Sequence, residues 1–186
     1  MKPVHALTLA SLVATGLPQR LPAQTFIDDN WSALGSGING SVYALAVSGS
    51  DLYAAGVFTT AGGVTVSNVA KWNGSSWSAL GSGMAGGSVG GSNVQALAVS
   101  GADLYAGGNF TTAGGVTVGN VAKWNGSSWS ALGSGVSGFG AYTFVSALAM
   151  SGTNLYAGAI SRRLAESAPE RLPNGTGAVG RPLAWG

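Results

Sequence analysis

Short apolar segments alternate with glycine-rich polar turns along most of the chain. The segment Val94–Val99 reads Val-Gln-Ala-Leu-Ala-Val, so strict alternation places the first valine and both alanines on one face. Gln95, Leu97 and Val99 fall on the other face. A strand that is apolar on nearly both faces is typical of a sheet with neighbours on both sides. We therefore predict packed sheets, in which small alanines let adjacent sheets approach closely.

The pattern repeats at a fixed spacing. The motif KWNGSSWSALGSG begins at Lys71 and recurs unchanged at Lys123, 52 residues later. A further copy begins at Ser151 with SGTNLYAGA, and WSALGSG at Trp31 is the end of an earlier unit. Self-similarity at a period of about fifty residues indicates a repeat architecture, in which each unit is one supersecondary structure.

Each complete unit is predicted to contain four strands. Asn73-Gly74 favours a tight hairpin turn between the last two strands, because both residue types tolerate positive φ. Four antiparallel strands in about fifty residues make one blade of a β-propeller. We predict an all-β fold, a β-propeller fragment with about two complete four-stranded blades and partial ones. The predicted strands are Val42–Val47, Leu52–Phe58, Val69–Trp72 and Trp77–Leu80, then Val94–Val99, Leu104–Phe110, Val121–Trp124 and Trp129–Leu132.

These units resemble the kelch repeat of galactose-oxidase-like propellers. LYAGG at Leu104 is similar to that family's strand ending in a double glycine, and Trp124 and Trp129 are similar to its spaced aromatic pair. The resemblance covers Trp31 to Gly158 and implies the propeller fold, which hosts enzymes and binding proteins alike. The family's copper chemistry requires cysteine and histidine ligands. The chain has no cysteine and a single histidine near its beginning, so the resemblance does not imply that activity.

The first residues have the features of a secretory signal peptide. Lys2 provides a positive charge, and an apolar run extends from Ala6 to Leu17. Ala23 offers a small residue for cleavage before Gln24. The apolar run is too short to span a bilayer as a helix. We therefore predict a signal peptide at residues 1–23 and a secreted or cell-surface location, without a membrane span.

The repeat pattern occupies residues 24–158 and then stops. After Gly158 the repeat predicts GNFTTAGGV, but the chain reads AISRRLAES. Codons for Ala159–Arg163 read from their third base can encode Asn-Phe-Thr-Thr, and Leu172–Trp185 read in the same way permits AKWNGSSWSALG. This agreement predicts the loss of one base near Gly158. We accordingly expect residues 159–186 to be a frameshifted, disordered tail.

Two complete units are too few to close a propeller, which needs at least about four blades. The faces and edges of the terminal sheets would then stay open. Exposed apolar sheet faces and unpaired strand edges promote association. We therefore expect this chain to self-associate, and we expect the segment to belong to a larger propeller.

Few charges lie within the repeats, although the whole chain has a formal net charge of +2. This section has no arginine and no basic patch, which excludes the electrostatic attraction on which nucleic-acid binding depends. We predict no nucleic-acid partner. The charged residues between Gln24 and Gly158 are Asp28, Asp29, Asp51, Lys71, Asp103 and Lys123.

Candidate chemistry within the repeats is sparse. Asp51 and Asp103 recur at equivalent positions, where an Asx-type turn is favoured over a pair of catalytic carboxylates. Lys71 and Lys123 lie in the middle of strands, where exposed lysines that discourage edge pairing are favoured over ligand contacts. The repeats contain no histidine to activate a serine. We predict no catalytic, cofactor-binding or metal-ligating residue, no cofactor, and no enzymatic activity.

The sequence therefore predicts a noncatalytic secreted repeat segment that binds a protein or a carbohydrate. The most repeated candidates for contacts are Phe58 and Phe110 with the Thr-Thr-Ala-Gly-Gly segments that follow, although each is expected to shape its own blade. One alternative is a fragment of a larger secreted enzyme whose active site lies in missing blades or domains. Another is a purely structural surface repeat, which nearly identical units favour.

Overall fold

The computed structural model describes residues 32–87, 90–136, 142–162 and 182–183. Almost all of them belong to one compact unit, Ala33–Gly186. The other unit, Met1–Ser32, lies outside the described residues except for its last residue, and so does the predicted signal peptide. All of the regular secondary structure in the described residues is β-strand, which confirms the predicted all-β class.

Two four-stranded antiparallel sheets correspond to the two complete repeat units. The eight predicted strands are all present, and each begins and ends within one residue of its predicted bounds. The first sheet has the order β1-β2-β5-β6, with β1 Ser41–Ser48, β2 Asp51–Val57, β5 Val69–Trp72 and β6 Trp77–Ala79. The second sheet has the order β8-β9-β12-β13, with β8 Asn93–Ser100, β9 Asp103–Asn109, β12 Val121–Trp124 and β13 Trp129–Ala131.

Short hairpins, which the sequence did not predict, connect the second and third strands of each sheet. Each arm has only two residues, too few to show an alternating pattern. The second hairpin also pairs with β7, a two-residue strand that follows the first sheet. The hairpins are β3 Thr60–Ala61 with β4 Val64–Thr65, and β10 Thr112–Ala113 with β11 Val116–Thr117; β7 is Met84–Ala85.

A third, partial sheet contains β14 (Tyr142–Ser151), β15 (Asn154–Arg162) and β16 (Pro182–Leu183). The ladder between β14 and β15 extends to Arg162, past Gly158, where the repeat pattern ends. Antiparallel pairing uses backbone groups, so it can continue across a change of side chains. Most of the predicted tail, residues 163–181 and 184–186, lies outside the described residues.

The three sheets pack face to face in chain order. One apolar cluster joins the first and second sheets and includes Tyr53, Val69 and Leu80 from the first and Leu104 and Trp129 from the second. Another cluster joins the second and third sheets. Its members are Val121, Leu132 and Leu155, with Ala98, Tyr105, Val136, Leu148 and Met150 packed against them. The prediction of two complete four-stranded sheets is confirmed, and the described residues add one partial sheet.

A β-bulge corrects the predicted facing of β8. The register shifts between Val94 and Ala96, so one extra residue reverses the alternation at that point. Val94 is fully buried in the cluster on the side of the first sheet, against which Leu97 and Val99 also pack. The prediction that Val94 shares a face with the alanines was therefore wrong. Matching shifts occur in β1 between Val42 and Ala44 and in β14 between Val145 and Ala147.

Candidate binding surface

Four charged residues of the repeats form cross-strand ion pairs. Lys71 Nζ lies 3.1 Å from Asp51 Oδ2, and Lys123 Nζ lies 2.8 Å from Asp103 Oδ2. Lys71 lies on β5 and Lys123 on β12, and each of these strands has a paired strand on both sides. The prediction that the lysines discourage pairing at sheet edges was therefore wrong. The two carboxylates, which were predicted to form turns, bind the lysines instead.

These pairs influence the pKa values of nearby groups. The hydrogen bond to the Asp103 carboxylate raises the pKa of Lys123. Desolvation by burial raises the pKa of Tyr53, in spite of the opposing positive charge of Lys71. The negative charge of Asp51 adds to the increase. Because each charge already has a partner within its own sheet, these groups serve the fold.

Two asparagines that the sequence did not single out lie directly before β5 and β12 and stabilise the backbone there. Asn68 and Asn120 have φ values of 64° and 62°, in the left-handed region that asparagine tolerates. The side-chain oxygen of Asn120 accepts a hydrogen bond of 3.3 Å from the Phe110 amide, and its Nδ2 donates one of 3.1 Å to the Val136 carbonyl. An asparagine preceding Val-Ala-Lys-Trp in both units was the available signal.

The hairpin turn predicted at Asn73-Gly74 is a four-residue loop between the paired residues Trp72 and Trp77. Within it Gly74 has a positive φ of 96°, but Asn73 is not among the described residues with positive φ. The Asn73 side-chain oxygen accepts hydrogen bonds from the amides of Ser75 and Ser76, at 3.0 and 2.9 Å. The asparagine therefore closes the loop through its side chain.

Tryptophan side chains connect successive repeat units. The two indoles of the second sheet, Trp124 and Trp129, have ring centroids 5.4 Å apart at an interplanar angle of 52°. Trp129 Nε1 donates a hydrogen bond of 2.9 Å to the Leu80 carbonyl of the preceding unit. Trp77 Nε1 donates one of 2.8 Å to the Leu34 carbonyl. Each complete unit is thus hydrogen-bonded, through one indole, to the residues that precede it.

Phe58 and Phe110, the most repeated candidates for contacts, are core residues. Their exposed fractions are 3% and 0%. Their aromatic rings are therefore unavailable to a partner.

The Thr-Thr-Ala-Gly-Gly segments do reach solvent, through the two hairpins. Val64 and Val116 occupy equivalent places and expose 38% and 40% of their surface. Each is followed by an exposed threonine. We call these four residues, Val64, Thr65, Val116 and Thr117, the hairpin surface. It offers methyl groups and hydroxyls without charge, which is chemistry suited to an uncharged or weakly polar partner.

A cleft of about 300 Å³ opens on the side of the second sheet that faces the third. It is lined by Tyr105, Lys123, Ser130, Ala131 and Leu132.

The repeat shows what covers the equivalent place one unit earlier. There Leu80 is 1% exposed, and its carbonyl accepts the indole hydrogen bond of Trp129. The cleft therefore lies where the tryptophan of a further unit would pack.

Among the described residues, no group of three or more histidine, cysteine, aspartate or glutamate side chains could hold a metal ion. The described part of the chain also contains no helix of the length and hydropathy needed to cross a membrane. Comparison with protein families, curated proteins and solved structures finds no match.

Proposed function

We propose that this chain is a noncatalytic repeat segment of a secreted, kelch-like β-propeller, and that it binds a protein or a glycan. The observation that carries the proposal is the hairpin surface, which presents the same exposed valine and threonine in both complete units. Repeated, uncharged contacts at regular spacing favour an extended partner with a repeating structure.

The use of the charged groups supports a noncatalytic role. Asp51, Lys71, Asp103 and Lys123 form ion pairs within their sheets. Catalytic acids and bases must instead be free to exchange protons with a substrate.

A structural role is the second candidate. It is favoured by the near identity of the two hairpins and of the two Trp-Asn-Gly-Ser-Ser-Trp loops, because selection for one specific ligand usually makes such loops differ. In this role the chain acts by joining to other copies of itself. Self-association belongs to both candidates and is developed below.

Binding is tested on arrays of glycans and of extracellular-matrix proteins, probed with the labelled chain. We expect at least one class of ligand to bind the wild type and to lose binding in the double variant V64E/V116E. Ala102→Glu, on an exposed turn between β8 and β9, is the matched control and should bind as the wild type does. Absence of glycan binding eliminates the carbohydrate form, and absence from both arrays favours the structural role.

A further inference from the structure

The first sheet has an apolar face without a cover among the described residues. This open face consists of Val42, Leu45 and Val47 of β1, which are 41%, 62% and 66% exposed. Isolated exposed apolar residues are common on proteins, but a contiguous row along one strand marks an interaction site.

The repeat shows how the same face is used one unit later. Val94, the counterpart of Val42, is fully buried. Leu97 and Val99, the counterparts of Leu45 and Val47, are partly buried against the cluster that joins the first two sheets. The open face therefore has the composition of an internal sheet-to-sheet interface.

The surface that covers this type of face is also known from the chain itself. In the first sheet, Ala44 and Ala46 pack toward the second sheet, and Tyr53 lies beside them at 5% exposure. In the second sheet, Ala98 and Tyr105 pack in the same way toward the third. Small alanines beside one tyrosine thus receive the larger valine and leucine side chains of the next sheet.

The third sheet presents this covering surface to solvent. Ala147 and Ala149 of β14 are exposed, and Tyr156 of β15 is 38% exposed. We call these three residues the alanine face. One chain therefore carries both halves of its own internal interface, one at each end of the stack. Neither half includes a charged side chain, so no like charges oppose their contact.

We propose that the open face of one copy binds the alanine face of a second copy, so that the chains associate head to tail. The contact continues the packing already present between the first and second sheets. It is heterologous, because two different patches meet, and such a contact propagates until a ring closes or a filament forms. This inference deepens the self-association included in the proposed function and does not depend on which ligand the hairpin surface binds.

The first test measures mass against concentration by analytical ultracentrifugation. We expect the wild type to associate, and Leu45→Glu to weaken association at least tenfold because it places an unpaired charge in an apolar interface. Ala102→Glu, on the exposed turn between β8 and β9, is the matched control and should associate as the wild type does. A monomeric wild type at all concentrations, or unchanged association of Leu45→Glu, overturns the proposal.

The second test distinguishes head-to-tail contact from contact between two open faces. Leu45→Glu keeps an intact alanine face, and Ala149→Glu keeps an intact open face. Each variant alone should associate at least tenfold more weakly than the wild type, whereas their mixture should form a one-to-one complex and nothing larger. Undiminished association of Ala149→Glu alone, or no complex in the mixture, contradicts the head-to-tail arrangement. Circular dichroism confirms folding, which these exposed positions should not disturb.

Failure of this proposal and failure of the proposed function give different results. Loss of array binding in V64E/V116E with an unchanged assembly mass shows that only ligand binding has been lost. A smaller assembly mass for Leu45→Glu with unchanged array binding shows that only the contact between copies has been lost.

Discussion

Trp129 Nε1 donates a hydrogen bond of 2.9 Å to the backbone carbonyl of Leu80, across 49 residues of sequence. The bond connects β13 of the second sheet to the residue that directly follows β6 of the first sheet. Trp129 is only 5% exposed and Leu80 only 1%, so both groups are removed from water. A buried polar group that loses its partner is costly, and this pair therefore specifies how one repeat unit sits on the next.

Trp129→Phe keeps an aromatic ring but removes the indole donor and part of its volume. We expect the free energy of unfolding to fall by about 2 kcal/mol, from the lost hydrogen bond and the space left behind. Denaturant unfolding measures the change. Val116→Ala, at an exposed site, is the control and should change stability by less than about 0.5 kcal/mol. Equal effects of the two substitutions would show that the bond does not join the sheets.

Asn120 combines a positive φ with two side-chain hydrogen bonds, and two substitutions separate these features. Asn120→Ala loses the bonds and places a β-carbon in the left-handed region. Asn120→Gly loses the same bonds but adopts that region freely. We expect the alanine variant to be less stable than the glycine variant by about 1 kcal/mol, and both to be less stable than the wild type. Thermal or denaturant unfolding decides the order; a glycine variant below the alanine variant would contradict it.

Gly62 and Gly63 form a matched pair in the tip of the first hairpin, with φ values of 56° and 80°. A β-carbon at Gly62 would lie 2.5 Å from Trp77 Cδ1, whereas one at Gly63 has no neighbour within 4 Å. We expect Gly63→Ala to cost about 1 kcal/mol from backbone strain and Gly62→Ala to cost about 3 kcal/mol, because the indole must also move. Similar losses of stability would mean that the hairpin does not pack on Trp77.

The raised pKa of Tyr53 leads us to expect a loss of stability at alkaline pH. Burial raises the pKa of its phenol above the ordinary value of 10.0, so the folded state holds the proton more tightly than the unfolded state. The associated stability is complete below pH 10.0 and is lost as pH rises through the raised pKa of the folded state. Unfolding measured across this range should show a smaller decline in Tyr53→Phe than in the wild type. Identical pH profiles would contradict a buried phenol.

The cleft beside Leu132 connects the structure to the reading-frame hypothesis. Restoring one base near the codon of Gly158 would place a third Trp-Asn-Gly-Ser-Ser-Trp sequence after β15, as in the two complete units. We expect the restored chain to bury a further indole on Leu132 and to gain at least about 2 kcal/mol in unfolding free energy. No gain in stability would contradict the frameshift interpretation.

The main strands could be predicted because the information for them is local. Val121–Trp124 and Trp129–Ala131 follow from a repeated apolar pattern and from the turn residues between them. The facing of Val94 could not be predicted, because the bulge beside it depends on pairing with β9. The role of Lys71 could not be predicted either, because its strand β5 is internal to the sheet only through its pairing with β6.

The candidate site was less predictable than the fold. The sequence directed attention to the Thr-Thr-Ala-Gly-Gly segments, and part of each is exposed on a hairpin. It could not show that Phe58 is buried whereas Val64 is exposed, since both are apolar residues in the same repeated motif. The open face of β1 required knowledge of which sheet covers which, and strand patterns alone do not supply that order.

The contact between successive repeat units underlies every proposal above, and nuclear magnetic resonance of the indole proton of Trp129 tests this contact directly. The structure predicts a nuclear Overhauser effect from the Trp129 side chain to the α-protons of Gly81, since a β-carbon at Gly81 would lie 3.7 Å from Trp129 Cδ1. It also predicts slow exchange of the indole proton with solvent, because the proton is bonded to Leu80. Both signals together support stacked units. A rapidly exchanging indole without contacts to the preceding unit would contradict the stack on which the proposals rest.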